Sequence, residues 1–78
     1  DWKQQKEEQA KQRKRENDLK KTENRIFELE SRDEEINELM TREEVYTNVA
    51  ECQKRHKEQE ELKKQLETLY EQWEALAQ

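Results

Sequence analysis

From Leu19 onward the apolar residues fall three and four apart. Leu19, Thr22, Ile26, Leu29, Asp33, Ile36 and Met40 trace a heptad repeat, with Leu19, Ile26, Asp33 and Met40 at its a positions and Thr22, Leu29 and Ile36 at d. Toward the C-terminus Leu62, Leu66, Leu69, Trp73 and Leu76 keep the same spacing, with Leu66 and Trp73 at a and Leu62, Leu69 and Leu76 at d. A helix carrying such a stripe buries it against another helix. Before Leu19 the pattern lapses. Residues 1–18 offer only Trp2 and Ala10 as apolar groups, so a helix starting near Trp2 is polar all round and expected to fray.

The two stripes are separated by Thr41-Arg42-Glu43-Glu44-Val45-Tyr46-Thr47-Asn48. Thr41 with Glu44 fits a capping box, and so does Asn48 with Glu51. Together they predict a first helix ending near Met40, a single turn, and a second helix starting near Asn48. A linker this short makes the helices antiparallel neighbours. The expected fold is all-α, an antiparallel two-helix coiled-coil hairpin. One unit spans 1–78, with helix 1 at about 3–40, the turn at about 41–47 and helix 2 at about 48–76. At the usual rise, helix 2 is roughly 42 Å long and helix 1 overhangs its end.

In an antiparallel pair a faces d. Setting Leu19 on Leu69 puts Ile26 on Leu62, Thr22 on Leu66, Leu29 on Gln59, Ile36 on Cys52 and Asp33 on Arg55. The midpoint of every pair is Glu44, inside the expected turn. On the flanks this register lets Glu23 approach Lys63, Glu30 approach His56 and Arg32 approach Glu58. Exposed pairs of this kind select orientation more than they stabilise. The middle is polar, with Asp33, Arg55 and Gln59 standing where coiled coils prefer Leu.

Composition first opposes this picture and then supports it. Only 28% of residues are hydrophobic and 47% are charged, a balance that favours disorder unless the apolar residues are periodic. They are, and Ala, Glu, Lys, Leu and Arg make up more than half the chain, as in long helices. Without glycine or proline nothing breaks a helix, and no glycine loop can cradle a phosphate. No apolar run suits a membrane span or a signal peptide. Cys52 is the single cysteine, so no internal disulfide forms, and a cytoplasmic setting is expected. Starting at Asp1 rather than Met, the chain reads as a fragment of a larger protein.

Cys52 and His56 lie four apart on one helical face. Structural zinc wants four protein ligands and a nucleophile wants a pocket, so these two read as flanking residues, and no catalytic, cofactor or metal residue is assigned. Trp73, Tyr70 and Leu76 form an aromatic patch opposite Gln12, Arg15 and Leu19 in the paper register. Either Trp73 packs on the stems of Arg15 and Gln12, or it docks on a partner domain or RNA. Charge is segregated although the net is −5. Residues 1–25 hold nine basic and six acidic groups, whereas residues 26–52 hold two basic and nine acidic. Lys11, Arg13, Lys14, Arg15, Lys20 and Lys21, with Arg25 beyond, make the basic stretch. It is either a solvated helix face or a phosphate contact whose affinity depends on salt. No aromatic residue interleaves this run, which argues against base readout.

The run Gln12-Arg13-Lys14-Arg15-Glu16-Asn17, followed by Leu19, Glu23, Ile26, Leu29 and Glu30, resembles the first helix of the C-terminal domain of ABC-F proteins. The tip Glu44-Val45-Tyr46-Thr47-Asn48 is similar to the short connection of that family. Leu69-Tyr70-Glu71-Gln72-Trp73-Glu74-Ala75-Leu76 is similar to its closing aromatic run. The resemblance covers the chain from about Gln4; family prolines are replaced at Arg42 and near Val49. It implies a soluble ATPase with two ATP-binding cassettes upstream, using ATP and magnesium there, and a non-catalytic accessory arm here. The implied partners are the ribosome, through rRNA or a ribosomal protein, or another nucleic acid, in translation regulation. The basic residues from Lys11 to Lys21 are the candidate contacts, and the isolated arm is expected to be a monomer. Two other readings stand beside it: a purely structural or self-associating coiled coil, and a tRNA-binding helical arm like that of seryl-tRNA synthetase.

Overall fold

A computed structural model describes all residues from Asp1 to Gln78. It is a rod of 67 × 16 × 15 Å made of helices alone. Helix α1 runs Trp2–Leu39, α2 is a single turn at Glu43–Tyr46, and α3 runs Val49–Ala77. The two long helices pack against each other as an antiparallel hairpin, the expected architecture.

Each long helix starts where its sequence caps it. Asp1 accepts the backbone N–H of Lys3 at 3.3 Å. Asn48, extended at φ −102 and ψ 108, accepts the N–H of Glu51 at 3.1 Å, which is the Asn48 half of the second capping box; the Glu51 carboxylate turns to Arg55 instead. The first box does not form. Thr41 Oγ1 instead donates to the Glu38 carbonyl at 2.6 Å, closing the end of α1. The residue before α2 is Arg42, which makes no side-chain cap and holds Glu38 through its guanidinium.

The expected register is off by one heptad. Gln59 Nε2 donates to Asp33 at 3.2 Å and to Asn37 at 2.8 Å, so Gln59 lies level with Ile36. Trp73 Nε1 donates to Glu23 at 3.0 Å, which sets Trp73 beside Thr22. At the base Leu19 shares a cleft with Leu76. The same register places Ile26 against Leu69, Leu29 against Leu66 and Asp33 against Leu62. The pairings of Leu19 with Leu69, Ile26 with Leu62, Ile36 with Cys52 and Asp33 with Arg55 are therefore not made. Of the expected flank pairs the one present is Arg32–Glu58, at 2.7 Å.

The slip comes from residues 43–46. They were expected to be part of a turn, but they wind one more helical turn, with Tyr46 N–H donating to Arg42 O at 2.9 Å and Thr47 N–H to Glu43 O at 3.1 Å. The ascending arm therefore climbs higher before the chain reverses at Thr47–Asn48. Cys52, expected opposite Ile36, instead meets the top of the ascending arm and donates its S–H to Val45 O at 3.4 Å. A shift of a whole heptad keeps every a residue on a d residue, so the stripes still face each other.

The buried core is thin. Thr22, Leu29, Ile36 and Leu62 are buried, with Met40, Leu66 and Leu69 packed around the three apolar members. Thr22 Oγ1 donates to the Asp18 carbonyl at 2.8 Å, which lets a hydroxyl sit in the seam without an unmet bond. Residues 1–17 extend past α3 and are exposed throughout, and from Trp2 they are helical.

Two experiments test this packing. With Cys52 replaced by Ser, cysteines at positions 26 and 69 are expected to form a disulfide on mild oxidation, and cysteines at 26 and 62 to stay reduced. The reverse result restores the paper register. Asp33→Leu, which adds an apolar side chain beside Leu29 and Leu62, is expected to stabilise the hairpin by about 1 kcal/mol, read as a higher melting temperature by circular dichroism.

Candidate nucleic-acid interface

All six basic residues singled out in the sequence lie exposed on α1. The winding of the helix divides them among three directions. Arg13 and Lys20 stand on one outer flank, next to Glu16 and Glu23. Lys14 and Lys21 stand on the other, where Lys14 reaches Asp18 at 3.9 Å. Lys11 and Arg15 fall on the seam side, at the level where α3 has ended, and line the basal cleft with Leu19, Leu76 and Ala77. The run is thus a basic collar around the base of the rod rather than a single stripe. Lys14 alone of the six makes an ion pair, and Arg25 just beyond pairs with Glu28 at 3.0 Å.

The aromatic patch near the C-terminus does not pack where the first expectation set it. Trp73 does not lie on Arg15 and Gln12, because the register carries it to Glu23. Tyr70 O–H donates to Glu30 at 2.6 Å. That bond, then partial burial, pushes the phenol above its ordinary value of 10.0. Both aromatics remain partly exposed, so the patch joins the two helices at its polar atoms and leaves ring surface open.

Residues 9–78 match the family described as ABC transporter C-terminal domain. The chain belongs to this family. The match takes in the six basic residues, both seams and the tip. No curated protein and no solved structure matches the chain. As an ABC transporter C-terminal domain it is an accessory helical domain, and no helix in it is long and apolar enough to cross a membrane.

The opposite end of this ABC C-terminal domain is acidic. Glu43 and Glu44 stand on the exposed turn α2, and neither makes an ion pair. Midway, charges are knit together instead. Arg32 grips both carboxylate oxygens of Glu58, at 2.7 and 3.0 Å, and also holds Glu35 at 3.0 Å. Arg55 leaves Asp33 alone and bridges Glu51 at 3.4 Å and Glu58 at 3.5 Å. The hydrogen bonds from Arg32 hold the Glu58 carboxyl below its ordinary value of 4.5, and they raise the guanidinium in return. Cys52 is spent on the Val45 and Tyr46 carbonyls, His56 is exposed, and no group of three potential ligands is placed to hold a metal.

Sequence reading missed three residues near the basic collar: Lys6, Trp2 and Phe27. Trp2 and Phe27 are among the exposed large hydrophobic side chains. The signal was present as a spacing: Lys6, Arg13, Lys20 and Phe27 are each seven residues apart. Read along the chain, no aromatic interleaves the basic run. Read around the helix, one closes it at either end.

The depressed Glu58 carboxyl has a consequence for stability. The folded state releases this proton more readily than the unfolded chain, so the pair stabilises above the ordinary glutamate range and that contribution fades as pH falls through it. Glu58→Gln is expected to lower the melting temperature at neutral pH and to shrink the loss seen on acidification below about pH 4.5. Thermal melts at stepped pH check this; parallel acid curves for the two proteins would contradict it.

Proposed function

We propose that this chain is the C-terminal accessory arm of an ABC-F ATPase and binds the ribosome or another nucleic acid through its basic base. Membership of the ABC transporter C-terminal domain family supports the accessory role. The observation that carries the binding is the basic collar: Lys11, Arg13, Lys14 and Arg15 exposed on the part of α1 that runs past α3, with Lys20 and Lys21 exposed beside its last turn. A helix that runs past its partner offers its whole circumference to a ligand. Phosphate oxygens are the complementary chemistry, because neutralising each one releases condensed counterions.

The ABC-F assignment rests on the likeness at Glu44–Asn48 and at Leu69–Leu76. In that reading the ATP and magnesium act in cassettes upstream, the protein is cytoplasmic, and the arm contributes reach. It is a monomeric rod that touches rRNA or a ribosomal protein while the cassettes open and close to regulate translation. The geometry favours this over a self-associating coil. The apolar seam is already occupied by the partner helix of the same chain, and the overhanging part of α1 has few apolar groups with which to pair a second copy.

Charge reversal tests the reading. Replacing Arg13, Lys14, Lys20 and Lys21 together by Glu is expected to weaken binding to ribosomes or structured RNA by about tenfold or more, and to flatten the dependence of affinity on salt. Filter binding across a salt series measures both. Unchanged affinity and slope would remove the basic collar from the contact.

A further inference from the structure

The outer flank of α1 that carries Arg13 and Lys20 has an order that the other two directions lack. Lys6, Arg13, Lys20 and Phe27 follow one another at seven-residue intervals and so line a single edge, about 10.5 Å from one to the next. Trp2 joins the edge at its basal end, with Lys6 Nζ 5.3 Å from the centre of its ring. The two aromatics are the most exposed large apolar side chains in the molecule, Trp2 at 75% and Phe27 at 72%. A single exposed phenylalanine is ordinary surface. One standing in register with three cations, none of them in an ion pair, is a more particular arrangement.

Of the carboxylates beside this edge, Glu23 and Glu30 are turned away from it, while Glu16 stands exposed between Arg13 and Lys20. Glu23 accepts the Trp73 N–H and Glu30 accepts the Tyr70 O–H, so both reach round the helix toward α3. What remains along the edge is three cations to one carboxylate, with an exposed ring one heptad beyond Lys20. A double helix would answer the cations with its phosphates, but its bases are stacked inside and give a phenylalanine nothing to meet. An unpaired strand offers both phosphates and free base faces, and base–aromatic stacking needs no particular sequence. We infer that the outward edge of α1 binds single-stranded nucleic acid. Phe27 and Trp2 stack on bases, and Lys6, Arg13 and Lys20 hold phosphates. This rests on the functional reading above and narrows it from nucleic acid in general to unpaired segments such as loops or ends.

The test compares the full chain with Phe27→Ala, Phe27→Trp and the double charge reversal R13E/K20E. The probes are a short poly(A) RNA strand and an RNA duplex of the same charge, followed by fluorescence anisotropy. Phe27 is exposed, so none of its variants is expected to change the helical signal in circular dichroism, which is recorded alongside. Phe27→Ala is expected to weaken single-strand binding about tenfold and duplex binding less than about twofold, with Phe27→Trp restoring the single-strand value. Equal binding of the strand by Phe27→Ala and the parent, with R13E/K20E still weakening the duplex, overturns the stacking inference and leaves the functional reading in place. If R13E/K20E changes neither probe, this edge is not a phosphate contact and the inference falls. If the unaltered chain binds neither RNA, the functional reading falls with it.

Discussion

The side-chain amide oxygen of Asn48 takes the backbone N–H of Glu51, and from that bond the whole register descends. It marks where the chain stops climbing and starts back. Once the reversal lies at Thr47–Asn48, the level of every residue on α3 follows from a fixed rise per residue. Gln59 arrives beside Ile36, Trp73 beside Thr22 and Leu76 beside Leu19. The same point fixes where α3 ends against α1, hence how much of α1 is left without a partner. A turn placed half a heptad earlier would draw Gln78 closer to the start of α1 and cover part of the basic collar.

Holding that register falls to few atoms. Three apolar side chains are buried, and around them the seam contains a threonine, an aspartate and a glutamine. Burial at about 25 cal/mol per Å² supplies the cohesion, and a seam this narrow supplies little of it. The polar atoms do a different job. Gln59 reaches two acceptors at once, and Arg32 grips Glu58 with two nitrogens. The double reach of Gln59 is lost on a slip of one heptad, whereas Leu against Leu is not, and Arg32 can approach Glu58 in either alignment. Exposed pairs contribute little to stability, but they separate one alignment from another that the apolar stripe accepts equally well.

That distinction explains what could be read from the residues alone. The two stripes, the hairpin and the Asn48 cap were legible because each depends on local spacing, and the Arg32–Glu58 contact survives the wrong register because both side chains are long. The register was not, because a repeat of seven is blind to a displacement of seven. Deciding it required knowing that Glu43–Tyr46 would wind rather than turn, and Thr41 pointed the other way until its hydroxyl was seen on Glu38. At the candidate interface the basic residues were legible as a run. Their division among three directions, and the aromatic ends of one of them, came only from counting around the helix instead of along it.

The segregation of charge along a 67 Å rod carries a mechanical consequence. Fields in physiological salt fade over about 8 Å, so the basic base and the acidic far half do not sense each other through solvent. Near an extended polyanionic surface each end answers on its own: the base is drawn down while the tip is pushed off. Two opposed forces at the ends of a stiff lever make a torque, and the torque stands the rod upright. A rod charged in this way would be turned by such a surface before contact, with Tyr46 and Val49 outward on the exposed tip.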